Sequence, residues 1–482
     1  MKRILSLLII FFPLLTSFGQ VSKNDKVKDV YRISGTIKGA EKTEVFLAYY
    51  FGSNQQVIRD TVMSDASGHF VFQGKEDLPE GLYLVSFLKT KYLDFIIGEK
   101  DFSFETDTTD LIGSMKISNS VNNQQFYLFQ KEMARQIANL KKLDPKKLAS
   151  AEGNNLRSSI KSFQDQWLEK NKSLLTAKFI KATVDIEIPA YTKPLKNAKD
   201  SADFRMFQFT HYKSHFFDYL DFNDDRFLRS PFLQKKIEKY FEDLVVQESD
   251  SIIKEADRLL SRIKNVDVRR YVVYKVASTY ENSNIIGTDG AFVYLAEKYY
   301  IGEPALWDTS TVRRMKERIK VIKPLVNGKR FPEMYLTNPE GKEITTLNLT
   351  GNYSVIFIYD PECSHCKEES PKLVALNDYF KTKNITVFAV SMERDKVKWK
   401  KFIAEFKLEK FLNGIDIHKN PQTQKEEYYT DFRNTYDVYS TPLVYILDKS
   451  KRIIGKRIPV DKIKEFIEFY ENKIKQLNTL KK

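Results

Sequence analysis

The hydrophobic pattern changes period twice along the chain. From 29 to 115 it alternates. Tyr31, Ile33 and, beyond Gly35, Ile37 stand between polar residues, and Val45, Leu47 and Tyr49 repeat the spacing. A period of two marks strands with one face on a core. Asp65-Ala66-Ser67-Gly68 is a turn between the runs Asp60–Met63 and His69–Gln73. Leu82, Leu84 and Phe87 follow Pro79 and Gly81. Short strands with turn residues between them predict a small antiparallel β-sandwich over 29–115. Its lone His69, just past a turn, reads as a surface or strand residue.

From 122 to 320 the period becomes helical. Phe126, Phe129, Met133, Ile137 and Leu140 fall on one face, as do Ile237, Tyr240, Phe241 and Leu244. Ile252, Ala256, Leu259, Leu260 and Ile263 make a third stripe. These predict an all-α domain of several antiparallel helices. His211 and His215 lie four apart, with Asp218 one turn on. That spacing can hold a metal ion, but the Glu of a metalloprotease helix is missing, and the stretch is crowded with aromatic residues. It reads as an aromatic helix with no metal.

From 323 to 482 strands and helices alternate. Tyr353–Tyr359, Ile385–Ser391, Leu443–Leu447 and Arg452–Ile458 read as strands. Cys366–Thr382, Asp395–Phe406, Lys425–Tyr436 and Asp461–Lys475 read as helices. The alternation predicts an α/β layer fold with a partly parallel sheet.

Composition narrows the setting. The 482 residues exceed one ordinary domain. The net charge of +14 is spread among acidic residues, with no basic stripe on a nucleic-acid-binding module. Met1-Lys2-Arg3, an apolar stretch from Ile4 to Phe18 and then Gly19-Gln20 read as a secretory signal peptide over 1–19. The stretch is shorter than a membrane-spanning helix needs, and Pro13 interrupts it. The expected location is the periplasm or cell envelope, with no membrane span after cleavage.

The chain has two cysteines, Cys363 and Cys366. A disulfide framework would use more, spaced more widely, and a structural zinc site needs four ligands. One close pair in an exported chain points to redox chemistry without a cofactor. The pair follows the strand Tyr353–Tyr359 directly and opens a helix. Backbone N–H groups and the positive dipole end at a helix start stabilise a thiolate, so Cys363 is placed as nucleophile. Cys366, one turn inside, is placed to resolve the mixed disulfide. His365 could add positive charge to favour the thiolate, whereas Asp360 and Glu362 disfavour it. Thr441-Pro442 precedes the strand at Leu443, where Pro reads as a turn or strand start.

Gly328, Phe331-Pro332, Gly341, Cys363-Ser-His-Cys366, Lys367, Glu369, Pro371 and Thr441-Pro442 together resemble the thioredoxin superfamily, in its TlpA/ResA-type envelope members. The resemblance covers about the last third of the chain. It implies that Cys363 attacks, that Cys366 resolves, and that the Thr441-Pro442 bond is cis and borders the substrate groove. It also implies that Glu369 handles protons beneath the dithiol. Glu362 stands where the family often has an aromatic residue, and Phe357 where cytoplasmic thioredoxins carry a buried acid. A related peroxidase would want a Thr at Asp360.

The expected function is exchange of the dithiol with disulfides of envelope proteins, with reduction favoured. The expected partners are client proteins with disulfides or thiols and an electron donor or acceptor in the envelope. Two other readings are an oxidase or isomerase, and a binding protein whose thioredoxin-like end is secondary.

Overall fold

The computed structural model of the chain describes residues 29–147, 149–281, 283 and 285–480. The signal-peptide stretch 1–19 lies outside the described residues. The chain has an N-terminal β-sheet domain, then a helical region, then a C-terminal α/β thioredoxin-like domain. It divides into two compact units. One runs to Tyr49 and from Ile58 to Thr176; the other holds Tyr50–Val57 and everything from Ala177.

In the first unit, two four-stranded sheets share one core. Tyr31–Lys38 is flanked by His69–Gly74 and Asp101–Asp107, and Gly81–Phe87 by Glu44–Phe51 and Lys91–Ile97. Alternation puts Ile33, Leu47, Phe72, Val85, Phe95 and Phe104 inside. A side chain at Gly35 would run into the rings of Phe70 and Phe104. The pairing is antiparallel except between Tyr31–Lys38 and Asp101–Asp107, which run parallel. The first helix, Val121–Lys141, departs from its apolar stripe: Phe126 and Phe129 are half-buried and Ile137 is exposed. What it buries is Asn122, Asn123 and Tyr127. The Asn123 side chain accepts from Ile96 N at 2.7 Å and donates to Ile96 O at 2.8 Å, which completes that residue's backbone bonding.

In the second unit the helical stripes Ile237, Tyr240, Phe241 and Leu244, and Ile252, Ala256, Leu259 and Leu260, are buried as their spacing predicts. The thioredoxin-like domain is a seven-stranded sheet in the order Glu343–Thr345, Tyr335–Thr337, Leu412–Ile415, Ile385–Ser391, Tyr353–Tyr359, Leu443–Asp448, Ile453–Lys456. Tyr353–Tyr359 pairs parallel with Ile385–Ser391 and antiparallel with Leu443–Asp448, so both of its edges are bonded. It is buried on both faces. Val355 and Phe357 face one core with Leu373, Trp399 and Ile463; Ile356 and Ile358 face a second with Phe331 and Tyr436.

Two predicted helices differ in the structure. The helix read over Cys366–Thr382 begins at Ser364 and divides at Leu376 into Ser364–Ala375 and Asn377–Thr382. Over Lys425–Tyr436 only Phe432–Tyr436 is helical. Glu426–Glu427 pairs with His418–Lys419 as a short hairpin, and the buried Asp416 carboxylate accepts from Tyr429 N and Thr430 N. A carboxylate that takes these two donors holds the segment in a turn.

Candidate active site

The strand Tyr353–Tyr359 ends against Asp360-Pro361, and the helix Ser364–Ala375 starts three residues after Pro361. Cys363 is the residue capping that helix, with extended backbone and no side-chain cap bond. Its N–H donates to Asp360 O at 3.0 Å, and Lys367 N donates back to Cys363 O at 3.2 Å. Its side chain is therefore left at the mouth of the first turn, among N–H groups that lack helical partners. Cys366, three residues on, is fully buried and shares a core with Tyr359, Phe402 and Trp399.

The two thiols are in opposite electrostatic settings. Partial burial raises the Cys363 pKa, but the Thr441 hydroxyl, the Cys366 N–H and thiol, and the His365 N–H all donate toward its sulfur. The net effect lowers it below the ordinary thiol value. Burial pushes Cys366 up to about 12. Both cysteines are free thiols.

The Thr441-Pro442 bond is cis. The Thr441 carbonyl oxygen accepts from Cys363 Sγ at 3.2 Å, so the loop and the dithiol meet directly. Asp360 N lies 3.5 Å from Cys366 Sγ. The acidic neighbours are engaged. Glu362 pairs with Lys398 at 3.0 Å, which holds its carboxyl below the usual range, and Asp360 Oδ1 accepts from Glu362 N at 2.8 Å. Nothing in the sequence marks Lys398 for this; it sits 36 residues further on, in the first turn of the helix Lys396–Phe406.

His365 and Glu369 lie on the same helix, and each side chain pairs with a neighbour on that helix. The His365 ring is 76% exposed and stands 3.6 Å from the Glu368 carboxylate. Its backbone N–H, not its ring, reaches Cys363. Glu369 is half-buried, and its carboxylate pairs with Lys372 at 2.6 Å. Pro371, inside the helix, has no N–H to give to the Lys367 carbonyl.

His211 Nε2 donates to Glu187 O at 3.0 Å, and His215 pairs with Asp218 at 2.6 Å. Among the described residues no three His, Cys, Asp or Glu side chains converge as metal ligands. An open cleft of about 580 Å³ lined by Tyr191, Met206, Phe207 and His211 lies in the helical region, not at the dithiol.

A thiol open at a helix start, a buried partner one turn inside and a cis-proline loop against the first sulfur define a thioredoxin-like thiol–disulfide oxidoreductase. Residues 327–455 match the model of the AhpC/TSA family. Residues 31–126 match a domain of unknown function, DUF4369. The C-terminal domain belongs to the thioredoxin superfamily and is of the TlpA/ResA type. The thiol-disulfide oxidoreductase ResA of Bacillus cereus is 27% identical over 147 residues, 30% of this chain and 78% of that protein. A domain of a possible thiol-disulfide isomerase from Cytophaga hutchinsonii is 36% identical, covering 32% of this chain and 98% of that one, with a TM-score of 0.29. A thioredoxin-like protein from Bacteroides caccae is 18% identical, covering 60% and 99%, with a TM-score of 0.45. Among the described residues no helix is long and apolar enough to cross a membrane.

Proposed function

We propose that this chain is an exported dithiol exchanger that reduces disulfides of envelope proteins, with Cys363 attacking and Cys366 resolving. The carrying observation is the contrast between the thiols: Cys363 is accessible and held below the ordinary pKa, and Cys366 is buried and pushed up to about 12. The Cys363 thiolate attacks one client sulfur, and the other client sulfur leaves as a thiolate that takes up a proton. Cys366 then gives up its proton and attacks Cys363, which releases the second client thiol and leaves Cys363–Cys366 oxidised. The client gains two electrons and two protons; a donor dithiol in the envelope must return the electrons. Glu369, one turn beyond Cys366, is the carboxylate assigned to the Cys366 proton once it leaves Lys372.

The reductive direction is supported by His365. An imidazolium at the thiolate would stabilise the reduced form and make the pair oxidising; here the ring faces Glu368 instead. The expected reduction potential is nearer about −270 mV than about −120 mV. Export is supported by Met1-Lys2-Arg3 and the apolar stretch to Phe18; N-terminal sequencing of the protein from its source should begin after Gly19.

The deciding experiment is a trap. Cys366→Ser should hold clients on Cys363 as mixed disulfides that dithiothreitol releases, and Cys363→Ser should hold none. Equal yields from the two variants would overturn the roles.

A further inference from the structure

The helical region reaches the segment that leads to the loop facing Cys363 through Arg318. Arg318 lies on the helix Thr309–Ile322. Its Nε pairs with Glu281 at 2.8 Å, at the end of the helix Val266–Glu281. Its Nη1 pairs with Asp437 at 2.5 Å, and its guanidinium lies 5.3 Å from the centre of the Tyr439 ring. Arg318 thus ties two helices of the helical region to the segment that leads into Thr441-Pro442.

That segment needs holding. Asp437 is buried, with a left-handed backbone at φ 54°, a conformation that costs a non-glycine residue energy. Its carboxylate is taken from both sides, by Arg318 and by Arg457 at 2.7 Å. Two residues on, Tyr439 is 56% exposed and its ring meets the guanidinium groups of Arg318 and Arg433, the latter 4.6 Å from its centre. Two residues further, the Thr441 carbonyl meets Cys363 Sγ. Thr441, at the attacking sulfur, is four positions beyond the Arg318 contact at Asp437.

We propose that Arg318 is a positioning residue for the client groove: the helical region sets the pose of Tyr439–Pro442 and so favours polypeptide disulfides over small ones. A polypeptide must lie along Tyr439–Pro442 to present its disulfide, whereas a small disulfide needs only the sulfur. Lysine cannot replace Arg318 fully, because one ammonium cannot bridge two carboxylates and cover a ring as a planar fork does. The proposal rests on the dithiol reading above.

The test compares two disulfides on the full mature chain. One is insulin, whose disulfides lie in polypeptide; the other is 5,5′-dithiobis(2-nitrobenzoate). Arg318→Ala should lower the ratio of insulin rate to small-disulfide rate by about tenfold, mainly through KM, since misplacing a substrate by about 1 Å can cost more than this. Arg318→Lys should recover part of the ratio. A brace that only stabilises the fold would lower the melting temperature and leave the ratio as in wild type, and that result overturns the proposal. Should Arg318→Ala not fold, Tyr439→Ala is read the same way: a lowered ratio supports the proposal and an unchanged one sinks it. A wild-type protein that fails to reduce insulin would instead remove the dithiol reading itself.

Discussion

The N-terminal sandwich and the thioredoxin-like sheet both bury aromatic strands, yet their strand ends do different things. In the sandwich, carboxylates at the turns bond the backbone of their own loops. Asp65 accepts from Ser67 N and His69 N, Asp107 from Thr109 N, and Asp110 from Gly113 N. These loops spend their free donors on themselves. In the thioredoxin-like sheet Asp360 likewise takes Glu362 N, but the strand Tyr353–Tyr359 then runs into a helix whose capping residue has no side-chain cap bond. The N–H groups at that start are left for sulfur. An open donor set at a strand end separates a reactive loop from a merely closed one.

Cys363→Ser gives the sharpest break in this comparison. Insulin reduction should fall by at least about a thousandfold, because the attacking thiolate is gone. Phe95→Ala, in the sandwich core, should destabilise the first unit by about 3–5 kcal/mol in denaturant unfolding. The small-disulfide rate per folded molecule should stay at the wild-type level; a fall with the fold intact would mean that the two regions are chemically coupled. The thiols sharpen the contrast by pH. Lowering the pKa of an acid places its anion at lower pH, so Cys363 should react with iodoacetamide along a curve centred below the ordinary thiol value. Cys366 should resist until the pH approaches about 12 or the protein unfolds. Mass spectrometry after timed alkylation reads both. The smallest effect is expected of Lys398→Ala. It leaves the Glu362 carboxylate unpaired beside Cys363 and should slow alkylation at neutral pH by less than about threefold, and less still in high salt.

The parts of this molecule legible in sequence are those whose causes are local. Tyr353–Tyr359 is apolar but for Ser354 and lies within a few residues of both cysteines, so strand, helix start and dithiol can be read together. The buried stripe through Ile252 and Leu259 is likewise a single helix's periodicity. Thr441-Pro442 is a different case: its place beside Cys363 came from family resemblance, since 78 residues separate the two. Lys425–Tyr436 misleads because its mix of charged and aromatic residues looks amphipathic, while Asp416, outside the segment, fixes its backbone. Asn123 reads as a polar helix residue and is in fact buried against Ile96. Arg318 and Asp437 are 119 residues apart, and one surface-looking charge among many gives no sign of the other.

The central strand carries one more implication, for how the molecule accommodates a change of redox state. With both edges bonded and both faces covered, the amides of Val355–Ile358 should exchange with deuterium only when the whole unit opens. The attacking sulfur thus lies four residues beyond the end of a strand held on every side. Whatever adjustment making or breaking the sulfur–sulfur bond demands falls to the short stretch after Tyr359 and to the loop across from it, which should show the larger oxidised-to-reduced difference in deuterium uptake.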